Sequence, residues 1–133
     1  MTTRRTVLAI LLAPALGGAE PGQPIRGTLN ETDPPTLQLP DGRRITLSGD
    51  EPTLLVLHDD RIEGSDFEVQ GRMKPPNDFV VDGIHLRSLF VHKEGKRLMV
   101  TYWCDVCYIR TYAPGKCWCC QKYTDLDLRE SLD

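Results

Sequence analysis

Leu37-Gln38-Leu39-Pro40-Asp41-Gly42-Arg43-Arg44-Ile45-Thr46-Leu47 is the stretch that decides the fold. Leu37 and Leu39 alternate with Gln38, and Ile45 and Leu47 resume the alternation after a Pro-Asp-Gly break. A period of two puts one set of side chains on each face of a strand. Asp-Gly accepts positive φ at little cost, so the break reads as a hairpin turn. Two strands and a tight turn are therefore expected over 37–47.

The pattern continues upstream. Ile25, Gly27 and Leu29 alternate with Arg26 and Thr28, and residues 30–35 form a turn segment with two prolines. A three-stranded meander follows. Downstream, Asp50-Glu51-Pro52 has the composition of a helix start, a capping acid and then Pro in the first turn. Leu54, Leu57 and Ile62 would lie over an apolar opening. A buried strand over 53–57 is the competing reading, and the cap favours the helix. Phe67, Val69, Gly71 and Met73 then give the cleanest strand of the chain. After a loop over 74–78, Phe79 and Val81 begin another strand, expected to run to about His85. Leu89, Phe90 and Val91 lead into Lys93-Glu94-Gly95-Lys96, a second hairpin turn. The return strand, 97–103, delivers the chain to Cys104, and 124–133 reads as a polar tail with alternating leucines.

Strand, hairpin, strand, short helix, strand, loop, strand is the order of an OB-fold. Residues 27–84 resemble small exported bacterial OB-like domains, in which a strand ending in Val-x-Gly, here Val69-Gln70-Gly71, precedes a short loop and another strand. The expected fold class is all-β: a small OB-like β-barrel over 20–91, then a four-cysteine zinc-ribbon-like hairpin within 92–133.

All five cysteines fall within 104–120. Cys104 with Cys107, and Cys117 with Cys120, have the spacing C-x2-C, and nine residues separate the pairs. Two residues between cysteines let a tight turn aim both sulfurs at one point. Two such knuckles can supply a tetrahedron of thiolates, as a structural zinc site requires. Cys104, Cys107, Cys117 and Cys120 are the expected metal ligands, with Cys119 left over. The run from Tyr102 through Cys107, with Pro114-Gly115-Lys116-Cys117 and Cys120, resembles the small heavy-metal-binding domain of bacterial exported and membrane metal-handling proteins. Cys104, Cys117 and Cys120 match that family's cysteines. Cys107 replaces its His, and Trp118 and Gln121 stand where it has Pro and Gly-Met. The missing Met weakens a copper-type thioether contact.

Other cysteine chemistry stays open. Disulfides suit a small exported chain, although five cysteines leave one unpaired. The dense Cys117-x-Cys119-Cys120 cluster offers soft ligands for copper. A redox dithiol normally opens a helix, whereas strand and turn signals surround both pairs. Neither C-x2-C is followed by His, so covalent haem is not expected.

The N-terminus has a separate character. Arg4 and Arg5 precede an apolar run over 7–16 and then Gly17-Gly18-Ala19, which describes a secretory signal over 1–19. The Arg-Arg start also resembles the twin-arginine signal. The apolar run is short for a membrane span. No cysteine follows Ala19 directly, so no lipid anchor is expected there. Cleavage would leave a chain beginning at Glu20, in the periplasm or outside the cell, with no membrane span. Losing Arg4 and Arg5 takes the formal charge from −3 to −5.

That acidic balance, with an exported address, argues against the single-stranded nucleic-acid role open to OB-folds. The remaining polar groups suggest no catalytic set. His58-Asp59-Asp60 reads as a solvated turn, His85 and His92 as strand-end residues, and Arg110 as solvated. Trp103 and Trp118 read as packing for a small module. The sequence therefore points to a metal-binding protein without enzymatic activity, zinc being the expected ion and copper the alternative.

Overall fold

In the computed structural model, which describes residues 23–133, the Asp41-Gly42 hairpin joins β2 (Thr36–Gln38) to β3 (Arg44–Ser48). The expected leader over 1–19 lies outside the described residues. Strand β1 (Gln23–Asn30) pairs antiparallel with β2 at one end and with β4 (Asp66–Lys74) along most of its length. Strand β5 (Asp78–Val81) lies antiparallel to β4 and parallel to β3. The circuit β1-β2-β3-β5-β4-β1 closes a five-stranded barrel, as the strand pattern predicts.

Two glycines permit this closure. A Cβ on Gly71 would overlap the Val80 carbonyl of β5, and one on Gly27 would overlap the Gln38 carbonyl. Both positions let a neighbouring backbone approach closely where the sheet bends. Leu29, Leu37, Ile45, Leu47, Phe67, Val69 and Phe79 fill the interior and are essentially inaccessible. These are the alternate positions the pattern predicts.

Helix α1 (Glu51–Leu57) follows β3 and adds Val56 and Leu57 to the barrel's hydrophobic cluster. The Asp50 carboxylate accepts the Thr53 N–H at 3.0 Å, and Pro52 occupies the first turn. This cap decides for the helix over the competing strand. Val56 and Leu57 are buried with Ile62, which follows in a single 3-10 turn, Asp60–Ile62. Leu54 is only partly buried against the core.

Three expectations are corrected. The strand beginning at Phe79 stops at Val81, and the chain turns through Asp82 and Gly83 into a one-turn helix, α2 (His85–Ser88). His85 is thus buried at a helix start and is not a strand end. The tail is also structured. Asp125–Arg129 forms β9, whose Leu126 and Leu128 pack on the core.

Strand β6 (Leu89–Lys93) extends the sheet from β4 and turns at Glu94-Gly95 into β7 (Lys96–Cys104). On one edge β7 pairs first with β6 and then with β8 (Ile109–Thr111), while β9 takes the other edge. Val100 and Tyr102 of β7 belong to the same hydrophobic cluster as the barrel interior. So β7 runs from the barrel side directly into the first cysteine pair.

Candidate metal centre

Each cysteine pair sits at the tip of a small hairpin. Cys104 ends β7 opposite Ile109 of β8, and the Tyr108 N–H donates to the Cys104 carbonyl at 2.9 Å. In the second pair the Gln121 N–H donates to the Cys117 carbonyl at 2.8 Å. There Lys116 bridges Tyr123, and the Cys117 N–H donates to the Lys122 carbonyl at 2.7 Å. The residue after each second cysteine turns into the left-handed region, Tyr108 at φ 55° and Gln121 at φ 66°. The two knuckles therefore share one backbone path. Positive φ at non-glycine residues costs energy, so the tight turn is held against a local preference.

The sulfurs of Cys104, Cys107, Cys117 and Cys120 all lie within 4.8 Å of one another. Cys104 and Cys120 are 3.5 Å apart. Metal–sulfur bonds of about 2.3 Å in a tetrahedron place sulfurs about 3.8 Å apart, so the cluster spans the required size. Cys104 and Cys117 are buried, and Cys107 and Cys120 are half-buried. The four residues could hold a metal ion. All five cysteines are free thiols, and Cys119 is exposed, outside the four-sulfur set.

The local electrostatics separate the thiols. The backbone N–H groups of Cys120 and Cys119 point at the Cys117 sulfur and lower its pKa to about 7. Cys107 is raised, first by its hydrogen bond with Cys119, then by burial and by the sulfurs of Cys120 and Cys117. At Cys120 the Lys122 N–H acts downward, but burial and the sulfurs of Cys104 and Cys117 outweigh it and raise the thiol. Thiolate is the ligand form, and Cys117 is the sulfur readiest to supply it.

Polar groups around the module were not visible as partners in the sequence. Tyr102, two residues before Cys104, donates its hydroxyl to the Asp59 carboxylate at 2.7 Å. Arg61 grips that carboxylate through Nε at 2.9 Å and Nη2 at 2.8 Å, and reaches the Thr124 carbonyl at 3.4 Å. Burial pushes Asp59 up, yet the bonds from Arg61 and Tyr102 prevail and hold it below the usual carboxylate range. Arg110 is not solvated as expected. It donates to Thr101 Oγ1 and to Asp127, each at 2.8 Å, with its guanidinium over the Trp103 ring.

The His58-Asp59-Asp60 run does not converge. The His58 ring bonds the Leu54 carbonyl and caps α1, Asp59 enters the ion pair, and Asp60 opens the 3-10 turn. His92 lies within β6 and bonds the buried Glu68 at 2.7 Å, beside a two-point contact from Arg97. Trp103 packs as expected. Trp118 does not, and stands 75% exposed beside Cys117. None of the histidines joins the four sulfurs. No helix among the described residues is long and apolar enough to cross a membrane. No family model matches the chain, and no curated protein or solved structure is significantly similar to it.

Proposed function

We propose that this chain is a small exported zinc-binding protein, acting as a binding or structural module of the cell envelope. The observation that carries the reading is the convergence of Cys104, Cys107, Cys117 and Cys120 within 4.8 Å. Four mutually close sulfurs suit one tetrahedral ion better than two separately bonded pairs. Zinc is preferred because a closed four-thiolate set at the tips of two hairpins is the usual structural zinc arrangement. The ion would tie the 92–133 segment together, with the barrel as its support. No catalytic role is assigned.

Cobalt(II) substitution tests the ligand set. A tetrahedral four-sulfur site gives intense thiolate charge-transfer bands and strong visible d–d bands, and zinc displaces the cobalt. Weak octahedral bands would defeat the proposal. Copper(I) handling is the alternative, favoured by the exposed Cys119 thiol in the dense Cys117-x-Cys119-Cys120 run of soft ligands. A Cys119→Ser variant that loses copper(I) uptake but keeps zinc would support it. Export is tested by mass spectrometry of the protein from its native envelope, where Glu20 should be the first residue. An intact chain from Met1 in the cytoplasm would contradict it.

A further inference from the structure

The loop that joins the two knuckles is held from the barrel side by one buried histidine. His85, 6% exposed, bonds the Tyr112 carbonyl through Nδ1 at 2.6 Å and the Thr53 hydroxyl through Nε2 at 2.9 Å. Tyr112 lies midway between Cys107 and Cys117.

The donors in this chain can be assigned. The Thr53 hydroxyl has one proton, and it donates that proton to Asp50 at 2.6 Å. Toward His85 it can then only accept, so Nε2 carries a hydrogen. On its other side the ring's Nδ1 faces the Tyr112 carbonyl, which only accepts. Both ring nitrogens are thus engaged, and Thr53 links the ring on to the Asp50 carboxylate. Asp50 sits below the usual carboxylate range, held there first by the Thr53 hydroxyl, with the charge of His85 acting in the same direction. Asp50 and Thr53 are also the cap of α1. One chain of bonds thus runs from the start of α1 to the loop between the cysteine pairs.

We propose that His85 is a positioning residue for the metal centre: by fixing the Tyr112 carbonyl, it holds the two knuckles in register before the ion arrives. This rests on the metal-binding reading above. An ion that must order a loose loop binds more weakly than one that meets its ligands already converged.

Two variants of the full-length chain separate the two bonds of the ring. His85→Asn keeps a donor near the Nδ1 position and can still hold Tyr112. His85→Gln keeps one near Nε2, serves Thr53 and leaves the Tyr112 carbonyl unpaired. In competition with a chromophoric chelator, His85→Gln should bind zinc about tenfold more weakly, the equivalent of one lost hydrogen bond. His85→Asn should stay within about threefold of the parent. Both should keep the four-sulfur cobalt spectrum. In reduced, metal-free protein, Cys104 and Cys117 should alkylate faster in His85→Gln than in the parent or His85→Asn, with barrel amide exchange unchanged. Equal zinc affinity and alkylation in all three proteins would overturn the proposal. So would equal losses in both variants with a matching drop in overall stability, which marks a merely structural residue. Zinc-independent alkylation differences in a parent that binds no zinc would support the loop positioning and defeat the metal reading.

Discussion

Removing the Asp59 carboxylate should cost more than removing the hydroxyl that binds it, and removing both should cost no more than removing the carboxylate alone. In Asp59→Ala the Tyr102 hydroxyl stays in a residue with no exposed surface and loses its acceptor. An unsatisfied buried hydroxyl costs about 1–3 kcal/mol. The same substitution removes the acceptor for the Arg61 N–H at the start of the 3-10 turn, worth about 1 kcal/mol as a cap. Arg61 is 40% exposed and returns to water, so its charge adds little. The expected loss is about 2–4 kcal/mol. In Tyr102→Phe, Asp59 keeps both arms of Arg61, and only one charge-assisted bond is lost, about 1.5 kcal/mol. The double variant contains no orphaned hydroxyl, so it should be at least as stable as Asp59→Ala. The resulting coupling is about 1.5 kcal/mol. Equilibrium urea unfolding, with a slope of about 2 kcal/mol per molar, would show it as a midpoint difference of about 0.7 M from additivity. Strict additivity would mean that the carboxylate and phenol do not interact, and that the 3-10 turn is not tied to β7 in this way.

Gly71→Ala should lose about 1–3 kcal/mol in the same urea assay, because its methyl meets the Val80 carbonyl and β5 must move. Asp59 and Glu68 are both held below the usual carboxylate range, although burial opposes it in each case. Stability from them is complete above the unfolded value of about 4 and is lost as pH falls through the lower folded values, so thermal midpoints should fall below about pH 4. Cys119→Ser should leave the zinc content of purified protein unchanged, whereas Cys117→Ser should abolish it. Loss of zinc in Cys119→Ser would make Cys119 a ligand.

Much of the barrel was legible because its signals are local. Alternation at Ile25 to Leu29, at Leu37 to Leu47 and at Phe67 to Met73 places side chains on the interior face without reference to any other strand. The Asp50-Pro52 start is equally local, since the cap and the residues it serves are neighbours. The cysteine spacing is local too, and the convergence of the four sulfurs follows from two turns of one shape. What failed to show was long-range. Asp59 meets Tyr102 across forty-three positions and Arg110 meets Asp127 across seventeen, and neither pair carries a sequence signature. The leucines of β9 alternated visibly, but a five-residue strand with three charged residues reads as tail until β7 offers it an edge. The strand from Phe79 ends at Val81 because the chain turns through Asp82 and Gly83 into the single turn of α2, and a helix that short has no periodicity to mark it in the sequence.

The most direct measurement is the metal content of the full-length protein, purified without added chelator, together with its count of reactive thiols. One zinc per chain is expected, with one thiol, Cys119, reacting before metal removal and four more after it. A chain that contains no metal, and yields fewer than five thiols when denatured without reductant, would contradict the four-thiolate centre and show bonded cysteines in its place.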